Sequence, residues 1–288
     1  MKLLNFSVEG RESFGILGPK GIVDLGARAG SGATDIVSFM QKGLMPQARP
    51  LAEGDKADYS LEDVRILKPV GRGLRYVCIG VNYPERNEEY KDGSERPRYP
   101  SIFMRTHASF SAHGEPLLRP RESEQLDYEG EIVIVIGKGG RRIPLQSAMS
   151  HVFAYTCANE GSVRDWLRHS KFNVTQGKNF DRSGSIGPWL ATADEVGPEP
   201  LRVVTRVNGE VRQNDTSDRM IFPMPYLIHY ISTFCALEPG DVILTGTPSG
   251  AGARFDPPRY LRAGDRVEVE VSRVGLLRNE VRDDGGEA

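Results

Sequence analysis

The chain has 288 residues, 39% of them hydrophobic and 26% charged, a balance expected of a folded globular protein and not of a disordered one. A formal charge of -2 at pH 7, with no basic, aromatic-laced stripe, argues against nucleic acid and anionic membrane surfaces as partners. MKLLNFSVEGRES turns polar too soon for a signal peptide, and no apolar stretch nears the roughly 18 residues of a membrane span, so the expected location is the cytoplasm.

In chain order, residues 1–65 read as a small N-terminal α+β domain. MKLLNFSVEG and FGILGPKGIVDLG have the apolar content and Gly/Pro breaks of short strands. ATDIVSFMQKGL has the pattern of a helix, with Asp35 near its start and Gly43 near its end. EGDKADYSLEDV, residues 53–64, reads as a linker into a larger domain spanning residues 70–288. There, LRYVCIGV, SIFMR, EIVIVIG, GPWLAT, LRVVTRVNGEV, DVILTG and RVEVEV are apolar or alternating, as strands are. Asn208-Gly209 predicts a tight hairpin. Two helices are predicted: EGSVRDWLRHS after Asn159, and MPYLIHYISTFCAL with Leu227, Ile228, Ile231 and Phe234 on one face. The expected fold class is therefore α+β, mostly β. Cys78, Cys157 and Cys235 are odd in number, widely spaced and set in apolar stretches, which reads as small core side chains in a reducing compartment.

DYEGEIVIVIG, residues 127–137, opens with three acids at alternate positions. In a strand, Glu129 and Glu131 project to one side, roughly 6–7 Å apart along it, and Gly130 is expected to leave room between them. Asp127 shares their face and has no assigned role. Alternating acids also occur on solvated edge strands, but the apolar run from Ile132 to Ile136 argues for a buried one. Two carboxylates held together repel, and one takes up a proton unless a cation sits between them. A hard divalent ion with oxygen ligands, Mg²⁺ or Ca²⁺, suits the pair better than zinc. Glu160 is expected at a helix start with Arg164 one turn on, either as a routine pair or as the third member of a carboxylate cage.

The stretches CIGVNY, LDYEGEIVIVIG, NEGSVRD, GKNFD, GPWL, VNGEVRQ and LEPGDVILTGTPSG follow one another over roughly residues 70–280. On these the chain resembles the fumarylacetoacetate hydrolase family, in particular the branch of bacterial domain-containing proteins and 2-hydroxyhepta-2,4-diene-1,7-dioate isomerases. The resemblance implies a mixed β-sandwich or roll with few helices, a homodimer and a small oxo-acid substrate. It implies Mg²⁺ or Mn²⁺, with Ca²⁺ as an alternative, ligated by Glu129, Glu131 and Glu160, the last standing where Asp is commoner. By the same resemblance Lys178 contacts the oxo-acid end of the substrate, and Thr247 receives its carboxylate. Arg105 and Arg164 are pocket arginines, and Tyr83 lies at the pocket mouth. The implied reaction is hydrolysis of a C–C bond in an acylpyruvate or related oxo-dicarboxylate, through an enolate that the metal stabilises.

Hydrolytic members of the family carry a water-activating His and Glu just after the NY motif. Here NYPERNEEYKDG puts Arg86 at the His position and Glu89 at the Glu position, and Arg stays protonated at neutral pH. Three readings stay open: Glu89 acting as base with its pKa tuned by Arg86, His107 or His113 entering the pocket from THASFSAHG, or a reaction that needs no attacking water. The last would be isomerisation or decarboxylation of a 2-hydroxy-dienedioate or other oxo-acid, as in aromatic catabolism. The plainer view of both histidines is that of loop residues without a role. A rival from another class is a non-catalytic β-rich binding module held by structural Ca²⁺, against which Lys178 and Thr247 count. TGTPSG is not followed by Gly-Lys-Ser/Thr, so it is no phosphate-binding loop.

Overall fold

The structure, a computed structural model, describes residues 1–28, 32–54, 56–89, 95–169 and 173–285. The strand Gly130–Ile136 is buried at every position and is paired on both sides. It runs antiparallel to Val152–Asn159 and to Val242–Leu244. The run of β-branched residues thus forms an interior strand, and full burial of each such side chain is worth about 1.5–3 kcal/mol. Around it the large sheet is ordered Gly21–Asp24, Arg11–Gly18, Lys2–Val8, Gly184–Thr192, Val152–Asn159, Gly130–Ile136, Val242–Leu244, Tyr76–Gly80 and Ser101–Arg105. The N-terminal strands continue this sheet, since Lys2 and Leu3 are in register with Ala191 and Leu190. The stretch expected to be a linker returns to them, where Ile22 N–H donates to Tyr59 O at 2.7 Å.

A second sheet, ordered Glu210–Thr216, Arg202–Val207, Arg266–Val271, Gly275–Asp283 and Leu117–Arg119, packs across the first. Its hairpin turns at Asn208 and Gly209, with φ of 52° and 83°, as the Asn-Gly pair predicts. Ile132, Ile134 and Ile136 meet Val203, Val269, Val271 and Leu277 in one core. Val133 and Val135, on the opposite face, join Phe14, Ile36, Phe39 and Tyr76 in another. Among the described residues the architecture is mostly β, with two large sheets, a two-stranded ribbon of Leu126–Asp127 and Ser162–Val163, and few helices. No helix among the described residues is long and apolar enough to cross a membrane.

Three local expectations are corrected. Gly130 does not make room between the two glutamates: a Cβ there would overlap Thr205 Oγ1 of the second sheet, so the glycine is what lets the two sheets meet. EGSVRDWLRHS is not an α-helix. Ser162–Val163 pairs with Asp127 and Leu126, and only a 3₁₀ turn, Arg164–Arg168, follows. Tertiary pairing overrides a weak helix propensity. In the helix Met224–Phe234, Leu227, Ile228 and Ile231 are buried as expected, but Phe234 is 57% exposed. It is the last helical residue and rests edge-on against Tyr230 at 6.0 Å instead of on the core. The helix Ile36–Gln41 starts as read, with Asp35 accepting from Ser38 N–H at 2.7 Å.

Gly130→Ala is expected to lower stability by about 1–3 kcal/mol through overpacking at the sheet junction, with partial recovery in Gly130→Ala/Thr205→Ala. Urea midpoints of the three proteins measure this; an unchanged midpoint in the single variant would show that the contact is slack.

Candidate metal centre and active site

Register builds the site. Glu131 pairs with Ala158 and Gly130 with Asn159, so Glu160, one residue further, arrives beside Glu129. The Glu160 N–H donates to Glu129 O at 2.7 Å, and Asn159 Oδ1 accepts from the Glu129 N–H at 2.8 Å. The three carboxylates are buried, and one ligand oxygen from each lies within 4.8 Å of the others. Glu131 Oε2 accepts from the Gly246 N–H at 2.8 Å. Glu131 Oε1 and Glu160 Oε1 are buried without a hydrogen-bond donor. Burial, with the neighbouring Glu160 and Glu129 charges, pushes the Glu131 carboxyl well above the usual range, and burial raises Glu160 as well. Glu129 moves the other way: burial opposes its charge, but Arg164, Lys178 and Arg86 hold it well below. Two donorless buried oxygens in an all-carboxylate set fit a hard divalent cation.

Cations ring the triad. Lys178 Nζ donates to Glu129 Oε2 at 2.6 Å and Glu160 Oε2 at 3.0 Å, and lies 5.1 Å from the Phe103 ring centre. Arg164 does not pair with Glu160, as a helix would have had it. Its Nε donates to Asp127 Oδ2 at 2.8 Å and its Nη2 to Glu129 Oε1 at 2.6 Å. Arg86, on the short helix Pro84–Glu88, donates to Glu129 Oε1 at 3.1 Å and Glu89 Oε2 at 2.8 Å. Glu89 Oε1 in turn accepts from the Gly250 N–H at 2.6 Å.

Other expected site residues lie further back. Arg105 sits behind Glu160, 3.6 Å from its Oε1, and donates to Ser109 Oγ, Ser109 O, Gly161 O and Ser183 Oγ. Tyr83 is not at a pocket mouth: it is fully buried, its hydroxyl has no partner, and burial raises its pKa. Thr247 Oγ1 donates to Gly130 O at 3.0 Å and accepts from Gln213 Nε2 at 2.8 Å. His107 stands edge-on to Tyr76, its pKa lowered to about 4 by burial and by Lys68, while His113 Nδ1 accepts from the Arg278 N–H. Neither histidine joins the triad.

Sequence reasoning missed Gln213 and left Asp127 open. Gln213 Oε1 accepts from the Gly130 N–H at 2.9 Å, closing a ring through Thr247 back to Gly130 O. Its place at the end of VNGEVRQ was the available signal. Asp127 accepts from the Gly252 and Ala253 N–H groups and from Arg164, fastening the loop after TGTPSG to the ligand strand.

Two packed sheets with a buried carboxylate triad at the mouth of an interior strand define a β-rich fold with a candidate metal centre. The chain belongs to the fumarylacetoacetate (FAA) hydrolase C-terminal family, whose profile matches residues 75–282. It is 39% identical over 246 residues to oxaloacetate tautomerase YisK of Bacillus subtilis, covering 81% of each chain. With the mitochondrial oxaloacetate tautomerase FAHD2A of Bos taurus it shares 36% identity, covering 91% of this chain and 84% of that one. The structure of maleylpyruvate hydrolase from Sphingobium sp. SYK-6, in complex with manganese (II) ion and pyruvate, superposes with a TM-score of 0.78 at 25% identity, covering 98% of this chain and 99% of that one.

Glu131→Ala is expected to abolish Mg²⁺ and Mn²⁺ binding in calorimetry while leaving the circular dichroism spectrum unchanged. Chelation should lower the melting temperature of the wild type and leave that of the variant where it is. Unaltered affinity in Glu131→Ala would refute the cage.

Proposed function

We propose that the protein is a Mg²⁺- or Mn²⁺-dependent tautomerase that interconverts the keto and enol forms of a small 2-oxo-dicarboxylate of the oxaloacetate class. One observation carries this reading: the helix Pro84–Glu88 and the residue after it present an Arg86–Glu89 ion pair to the triad where water activation would need an imidazole. The five histidines are engaged elsewhere: His107 and His113 as above, His151 on Lys138 O, His229 on Ile143 O and His169 against Trp166. C–C hydrolysis, which the family resemblance ranks first, needs an activated water; tautomerisation needs only a proton moved between C3 and the 2-oxo oxygen. The two relatives named as oxaloacetate tautomerases support the same choice.

A cation held by Glu129, Glu131 and Glu160 supplies Lewis-acid charge to the oxygens of a 2-oxo acid. Lys178 stays protonated, since Glu129 and Glu160 outweigh the burial that would discharge it. Its ammonium supplies fixed positive charge, and a proton, where the 2-oxo oxygen becomes an enol. Glu89 receives the C3 proton on its carboxylate, oriented by Arg86 and the Gly250 N–H. Arg164 borders the substrate, while Arg105 and Thr247 support the site from behind. A cytoplasmic location and a homodimer complete the reading.

With Mg²⁺ present, the protein should speed the decay of the enol absorbance of oxaloacetate while total oxaloacetate stays constant. Lys178→Met should lower kcat on the order of 100-fold. Cleavage fragments would identify a hydrolase and released CO₂ a decarboxylase; no metal-dependent effect on any oxo-acid would sink the reading.

A further inference from the structure

The charge around the triad is unevenly shared. Glu129 holds three cations, with Arg164 Nη2 and Lys178 Nζ each at 2.6 Å and Arg86 Nη2 at 3.1 Å. Glu131 Oε1 and Glu160 Oε1 meanwhile have no hydrogen-bond donor. A divalent cation answers the deficit at Glu131 and Glu160 but adds to the surplus at Glu129.

Of the three surplus cations, two are built into the cage. Arg164 is also fixed by Asp127 at 2.8 Å and Lys178 by Glu160 at 3.0 Å. Arg86 differs in where it comes from: it makes the longest of the three contacts and rides on a short helix, and it also pairs with Glu89, three residues along. That helix is fastened from outside the cage, by the Glu85–Arg219 ion pair and by Glu89 on the Gly250 N–H. Yet the Arg86 side chain is only 3% exposed, so this helix delivers a guanidinium into a site that already has its share of positive charge. A guanidinium so placed suits an incoming carboxylate, which it can grip through two parallel N–H donors.

We infer that Arg86 is the specificity-determining residue of this site, receiving the second carboxylate of a 2-oxo-dicarboxylate while the triad and Lys178 handle the 2-oxo-acid head. This rests on the tautomerase reading above. It assigns Arg86 a role in selecting dicarboxylates over 2-oxo-monocarboxylates, beside the hold it keeps on Glu89.

The test compares oxaloacetate with pyruvate, which shares the head and lacks the second carboxylate, on metal-loaded wild type, Arg86→Met and Arg86→Lys. Arg86→Met should lower kcat/KM for oxaloacetate on the order of 100-fold, with a rise in KM on top of the fall in kcat from the loosened Glu89, while the inhibition constant of pyruvate shifts less than about threefold. Arg86→Lys should recover about tenfold of that loss, because the charge returns without the planar fork. Equal weakening of both ligands, or none of either, would overturn the inference. If the wild type turns over no oxo-acid, the functional reading falls and melting midpoints decide the inference alone. A larger rise with oxaloacetate than with pyruvate, lost in Arg86→Met, would uphold it, and identical rises in both proteins would end it.

Discussion

Three carboxylates with ligand oxygens within 4.8 Å of one another, sealed in a protein interior, cannot all remain ionised without positive charge among them. Much of the structure near the site answers that demand. Lys178, Arg164, Arg86 and Arg105 converge on the triad from four separate segments of the chain. Asp127 then restrains Arg164, and Glu89 restrains Arg86, so the cations are themselves held in position by a further layer of acids. This layered alternation leaves two oxygens, on Glu131 and Glu160, for a cation the polypeptide does not supply.

The sheet makes the crowding affordable. The run from Ile132 to Ile136 is packed on both faces, so the strand cannot slide to relieve repulsion at its mouth without turning its side chains to the wrong side. Pairing with Val152–Asn159 fixes where Glu160 falls, and the Gly246 N–H fixes Glu131. Apolar burial thus holds in place an electrostatic arrangement that would not assemble on its own.

The pairing of Glu129 with Glu131 was legible because a period-two spacing of acids ahead of an apolar run carries its own geometry, and the strands were legible from their alternation and turn residues. Glu160 does join the two strand acids, but by another local route than the one expected. A helix was expected, whereas the residue follows a strand, and Arg164 therefore answers to Asp127 and Glu129 instead. Side-chain partners set by sheet packing left no trace in local pattern: Thr205 under Gly130, or the burial of Tyr83 beside a motif that resembles a pocket rim. Arg86 was recognised as a departure from the family's pattern, but its grip on Glu129 across 43 positions could only come from the fold.

The ring joining Gly130, Gln213 and Thr247 has a consequence for when this site comes into being. Gln213 belongs to the second sheet, Gly130 to the first, and Thr247 to the loop after Val242–Leu244. The peptide between the two strand ligands therefore has its hydrogen-bond partners only after both sheets have docked and nearly the whole chain has been synthesised. A nascent or half-folded chain carries the same three glutamates without the geometry to hold an ion. An ion seated on the three carboxylates would thus have its affinity tied to the docking of both sheets, and so to the stability of the whole fold.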